Sequence, residues 1–249
     1  MSYEQYRPNS FSVLPPVVKN LLIINGLFLL ATVVLENRGI DLSDLLGLHY
    51  PLSHSFRPWQ IVTYMFMHGD FWHLFFNMFA LWMFGNTLEN LWGSKRFLIY
   101  YMVTGIGAAL ITIAVTYFRL MSLYHDVTPD VLNMIMTQGG EALKEGKNFI
   151  DPVAANINEL INTVSIGASG AVFGILLAYG VLFPNSIIYL YFALPIKAKW
   201  FVVLYGGMEL VLGILNNPED HIGHFAHLGG MLFGFVLLKY WQRKKNHFY

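Results

Sequence analysis

Apolar residues along this chain fall into long runs rather than into alternating or one-faced patterns. The run VVKNLLIINGLFLLATVVLE, from about Val17 to Glu36, is the first of six. The second extends from about Asp70 to Asn90 and the third from about Phe97 to Phe118. The fourth opens at SIGASGAVFG and ends near Phe183, the fifth covers about Ala198 to Leu215, and the sixth about Gly223 to Lys239. An α-helix needs roughly 20 mostly apolar residues to cross the hydrocarbon of a bilayer, and each run comes near that length. The predicted fold class is therefore an all-α integral membrane protein, a six-helix transmembrane bundle over residues 17–239. Residues 1–16 make a short polar N-terminal segment and residues 240–249 a basic tail.

The connections carry the next information. Residues 37–69 contain Pro51, Pro58 and several aromatics, a composition suited to a structured loop partly sunk in the interface. Residues 119–164 form a polar, mostly acidic insert with helical patches such as VLNMIMTQGGEALKEG. The remaining connections are short, as between antiparallel neighbouring helices. An even number of spans puts both termini on one side with the loops after spans two and four. That side holds ten Lys and Arg (Arg7, Lys19, Lys95, Arg96, Lys197, Lys199, Lys239, Arg243, Lys244, Lys245) against five on the other. The excess places both termini in the cytoplasm. Spans two, four and six then enter from the extracytoplasmic face, and their first two turns lie within roughly 10 Å of it.

Polar residues gather in those turns. Span two carries His73 and Asn77, four residues apart and so on one helical face. Span four carries Ser169 in its first turn, and span six carries His227 about one turn inside. Polar groups at membrane depth are costly and mark function by default; three helices presenting them at one depth is a stronger signal than any one alone. Small residues suggest how the helices meet: Gly170, Gly174 and Ala178 on span four, and Ala226, Gly230 and Gly234 on span six, form small-xxx-small stripes. Packing stripe on stripe brings Ser169 Oγ within reach of the His227 imidazole, with Phe173 one turn below to stack on that ring.

Composition agrees with a lipid solvent: 55% of the 249 residues are hydrophobic and 12% charged, where a soluble domain carries about 25% charged residues. The formal net charge of zero points to no nucleic acid, and the absence of cysteine removes disulfides, thiolate metal sites and cysteine nucleophiles together. The first 15 residues lack a signal-peptide pattern, so insertion through the spans themselves and a bacterial cytoplasmic (inner) membrane are expected.

These residues suit acyl transfer. A serine hydroxyl needs a base to take its proton during attack, and histidine has a fitting pKa. The resulting oxyanion needs preorganised donors, which His73, Asn77 and the Ser169 backbone N–H can supply. No carboxylate is expected at this depth to orient His227, so a Ser–His dyad is predicted rather than a triad.

With these residues in view, the sequence resembles the rhomboid intramembrane serine proteases over about Pro51 to Lys239. The resemblance rests on HGDFWHLFFN, GNTLENLWGSKRF, GASG and AHLGGMLFG, in that order. It implies Ser169 as nucleophile, His227 as general base, and His73 and Asn77 lining the oxyanion hole, with Gly167, Gly170, Phe173, Gly230 and Gly234 in support. It further implies cleavage of single-span membrane proteins near the extracytoplasmic face, within the lipid bilayer and with no metal or cofactor. The oligomeric state is left open. Two departures stand out: Trp59-Gln60 where many bacterial members have Trp-Arg, and Phe173 where tyrosine is common.

Blander readings exist for each residue. Ser169 alone would pass as helix packing, and His73 with Asn77 as interhelical polar contacts worth about 1 kcal/mol each. His221, His224 and His227 with Glu219 and Asp220 suggest zinc, but the HExxH of a metalloprotease is missing. Glu209 inside span five pairs with a polar group, is protonated or takes a catalytic role, the last being the minor reading, and Glu89 with Arg96 caps and tethers the loop between spans two and three. The other function classes are a catalytically silent binder of transmembrane clients, which has no need of both Ser169 and His227, and a channel. A channel requires polar residues through both leaflets, whereas the cytoplasmic halves of spans two, four and six are nearly all apolar.

Overall fold

The computed structural model describes residues 11–190, 193–215 and 223–245. Helices occupy all six predicted stretches. The first, α1 (Pro16–Glu36), begins on Pro16, whose fixed φ suits a first helical position. A loop with two short helices, α2 (Leu42–Leu46) and α3 (Gln60–Thr63), leads through a 3₁₀ turn to α4 (Phe71–Ala80). Asp70 caps α4 by accepting from the His73 backbone N–H at 2.9 Å. A π-helical turn, Leu81–Gly85, joins α4 to α5 (Asn86–Trp92). Gly93, at φ +80°, turns the chain into α6 (Ser94–Leu123); only glycine holds that dihedral at no steric cost.

The insert is structured. Thr128 with Pro129 starts α7 (Pro129–Lys144), and Asp151 with Pro152 starts α8 (Pro152–Asn162). The two pack as a hairpin over the end of α6, burying Ile135, Ile157 and Ile161 against Leu120 and Tyr50. Then come α9 (Ser169–Leu182), α10 (Ala198–Leu215) and α11 (His224–Lys245).

Among the described residues, three helices, Pro16–Glu36, Ser94–Asp126 and Ala198–Leu215, are long and apolar enough to cross a membrane; α9 is apolar but shorter. At 14 residues it rises about 21 Å. It is the centre of the bundle, packed against α6 and α11. The fourth run was expected to be helical from Ser165. Instead Ser165 pairs as an isolated bridge with Leu48, and the helix begins at Ser169 itself. A second departure from the all-α expectation is a short antiparallel hairpin before α10, β1 (Ile187–Leu190) and β2 (Leu194–Lys197).

The small-residue stripes meet in a different combination from the one expected. A Cβ on Gly230 would run into the Gly170 carbonyl, so α9 and α11 do touch backbone to backbone there. Lower down, Gly174 faces Thr104 and Gly234 faces the Tyr100 hydroxyl, both on α6. The long α6 is thus a third wall, and Tyr100 Oη donates to the Gly174 carbonyl at 2.9 Å. Glu89 does more than tether its own loop: its carboxylate accepts from Val17 N (2.9 Å), Val18 N (2.8 Å) and Ser94 Oγ (2.7 Å), capping α1.

Candidate active site

Ser169 is the first residue of α9, and the residue before it, Ala168, offers no side chain to cap the helix. The first backbone N–H groups of the helix are therefore left for whatever lies beside Ser169. His227 sits in the first turn of α11 and is 7% exposed. Its Nε2 lies 2.8 Å from Ser169 Oγ. Phe173, one turn below the serine, lies flat on the imidazole, with ring centroids 4.1 Å apart and planes 3° from parallel. Tyr205 of α10 backs Phe173 at 4.9 Å. The His227 imidazole is held by a hydrogen bond at one edge and a stacked ring on one face.

On the other side of the serine is His73. Gly167 has φ +129°, a conformation reserved for glycine, and a Cβ there would lie 2.9 Å from His73 Nε2. The same point is 3.6 Å from Ser169 Oγ. The His73 ring, the Gly167 backbone and the serine hydroxyl converge on one small volume. Asn77 is buried beneath, and its Nδ2 donates to the His73 carbonyl at 3.0 Å. A side-chain amide carries two N–H groups, so this bond leaves a second. His68, which sequence reasoning passed over, packs edge-on to His73 at 4.9 Å and is 1% exposed. Burial first, and the His73 ring second, push His68 down to about 4.

The expectation of no carboxylate at this depth is overturned. Glu209 Oε2 of α10 lies 2.9 Å from His227 Nδ1 and 2.6 Å from His224 Nδ1. The position was readable: Glu209 is six residues from the C-terminal end of α10, about 9 Å along its axis, while Ser169 and His227 lie in the first turns of α9 and α11. Counting from the N-terminal end of that span hides it. With Glu209 ionised, a carboxylate only accepts, so both Nδ1 atoms carry hydrogen and the His227 Nε2 lone pair faces the serine hydroxyl. Glu209, His224 and His227 also offer three potential metal-ligand atoms within 4.8 Å of one another, but their mutual contacts are satisfied as hydrogen bonds. The remaining members of the suggested zinc series, His221, Glu219 and Asp220, lie outside the described residues.

A rhomboid-domain family profile matches residues 55–244 of the chain. The chain belongs to the rhomboid family. Among its curated relatives, an uncharacterized mitochondrial rhomboid protein of Schizosaccharomyces pombe is 25% identical over 89% of this chain and 64% of its own length. A mitochondrial rhomboid protein of Saccharomyces cerevisiae is 28% identical over 70% of this chain and 39% of its own length. A rhomboid protease of Providencia stuartii is 25% identical over 76% of this chain and 57% of its own length. The chain thus spans between two fifths and two thirds of the length of these rhomboid relatives. Its long apolar helices make it a membrane protein.

Proposed function

We propose that this rhomboid is an intramembrane serine endopeptidase that cleaves single-span membrane proteins near the extracytoplasmic face. The observation that carries this is the 2.8 Å contact between Ser169 Oγ and His227 Nε2, on two helices locked backbone to backbone at Gly170 and Gly230. The reading includes six spans with both termini on the cytoplasmic side. It requires no metal or cofactor. The bacterial cytoplasmic membrane expected from the sequence has no support among these rhomboid relatives, two of which are mitochondrial.

In this mechanism the Ser169 Oγ–H proton passes to His227 Nε2 as Oγ bonds to the scissile carbonyl carbon. The carbonyl π pair moves onto oxygen, where the Ser169 backbone N–H, His73 and the second Asn77 N–H are the candidate donors. The imidazolium then returns the proton to the departing amide nitrogen as the C–N bond breaks. Water repeats the sequence on the acyl-enzyme, with His227 again as base, and frees Ser169.

The test is cleavage of a single-span substrate by purified protein in detergent. Ser169→Ala and His227→Ala should each abolish cleavage, and a metal chelator should leave the wild type unaffected. Cleavage that survives Ser169→Ala would overturn the proposal. Labelling of Ser169 by a fluorophosphonate separates a selective peptidase from a silent binder where a given substrate is refused.

A further inference from the structure

We infer that Glu209 is a positioning residue for His227, so that the site works as a Ser169–His227–Glu209 triad, with His224 as a second anchor for the carboxylate. The role rests on the serine-peptidase reading above and deepens it. Four observations carry it. Glu209 is 3% exposed, in a helix otherwise facing apolar surroundings, where an unpaired carboxylate is expensive. One oxygen, Oε2, receives both imidazole Nδ1 atoms, at 2.6 and 2.9 Å. The opposite nitrogen of His227 is the one on Ser169 Oγ, so the carboxylate, the base and the hydroxyl form one chain of hydrogen bonds. Finally, the cluster is held rigidly. Arg119 of α6 donates to the Gly213 carbonyl at 3.0 Å and lies over the Phe225 ring at 5.2 Å, tying the top of α10 to the start of α11. A Cβ on Gly213 would lie 3.2 Å from the Cβ of His224.

The arrangement has two chemical consequences. A carboxylate on Nδ1 fixes the tautomer, keeping the hydrogen there and the lone pair on Nε2 toward the serine. It also attracts the imidazolium formed during attack more strongly than the neutral ring that precedes it, and only interactions of that kind accelerate the chemical step. Glu209 and His227 are 3% and 7% exposed, and the lower local dielectric enlarges this difference. His224 serves the same end indirectly: it occupies a second lone pair of Oε2 and stops the carboxylate from swinging away from His227.

The experiment compares Glu209→Gln, Glu209→Asp, His224→Leu and Ser169→Ala with the wild type in one detergent. Its readouts are kcat and KM on a single-span substrate, the rate of fluorophosphonate labelling at Ser169, and the thermal midpoint. Glu209→Gln should lower kcat by about 100-fold or more and slow labelling in parallel, with KM within about threefold. Glu209→Asp, which keeps the charge, should recover at least about tenfold of that loss. His224→Leu should lower kcat by roughly 3- to 10-fold at unchanged KM. A Glu209→Gln enzyme with kcat within threefold of wild type, while Ser169→Ala is dead, would overturn the positioning role and leave the peptidase reading standing. Should Glu209→Gln fail to fold, a His224→Leu enzyme with wild-type kcat and labelling rate would overturn it instead. Cleavage by Ser169→Ala would overturn the peptidase reading, and this inference with it.

Discussion

Single side chains set the geometry around Ser169 and His227, and the most instructive is Phe173. It lies parallel to His227 at 4.1 Å, where a smaller residue would leave the ring free to tilt off the serine. Phe173→Ala should lower kcat between about 10- and 100-fold with the fold intact, since small misplacements of a base cost that much; Phe173→Tyr, which keeps the stacked ring, should stay near wild type. Steady-state kinetics beside thermal melts check both. His68 makes a prediction about stability. Its ring is buried and pushed down to about 4 from an ordinary 6.5. A histidine with a lower pKa folded than unfolded takes its proton first in the unfolded chain, so stability falls as pH drops through that window. The loss should reach on the order of 3 kcal/mol near pH 4. Thermal midpoints at pH 7 and pH 5 should differ in the wild type, and the difference should shrink in His68→Gln.

Between the helices, two elements depend on single points of close approach. The first loop is organised around Gln60, which is fully buried. Its Oε1 accepts from Arg57 N at 3.0 Å and His49 N at 3.3 Å, and its Nε2 donates to Ser55 O at 3.0 Å and Leu45 O at 3.3 Å. The departure from Trp-Arg noticed in the sequence is therefore the hub of the loop. Gln60→Ala should cost about 2–3 kcal/mol by stranding several buried backbone groups, read as a lowered thermal midpoint. The α9–α11 contact depends on Gly230, where a Cβ has only the Gly170 backbone to displace. Backbone cannot yield as a flexible side chain can, so Gly230→Ala should destabilise by about 1–3 kcal/mol. It should also remove activity by parting Ser169 from His227, a joint loss that separate assays of melting and cleavage would register.

Across the whole molecule, polar ties hold segments far apart in sequence. Glu89 caps α1 from over 70 residues away, and Glu89→Ala should cost about 3 kcal/mol by stranding two backbone N–H groups and loosening α1; limited proteolysis near residue 16 would reveal it. The insert is a brace on the first loop: Lys144 Nζ lies 3.4 Å from Asp44 Oδ2, and Ser53 Oγ donates to Asn162 Oδ1 at 3.2 Å. Hydrophobic run lengths placed helix in all six stretches, and among the described residues three of those helices meet the demand of a bilayer core for about 20 apolar residues. That Ser169, His227 and His73 lie near helix starts was likewise legible: Ser169 opens α9, His227 falls in the first turn of α11 and His73 in the first turn of α4. What run lengths do not contain is rotation about the helix axes and the identity of neighbours. Apolar all round, α6, α9 and α11 have no polar face to announce which side meets which helix. That is why Gly174 met α6 rather than α11, and why Glu209, read as a costly charge with an unnamed polar partner or a minor catalytic role, was not joined to His227. The membrane's thickness dictates helices from sequence; only side-to-side packing decided which side chains share one hydrogen-bonded site.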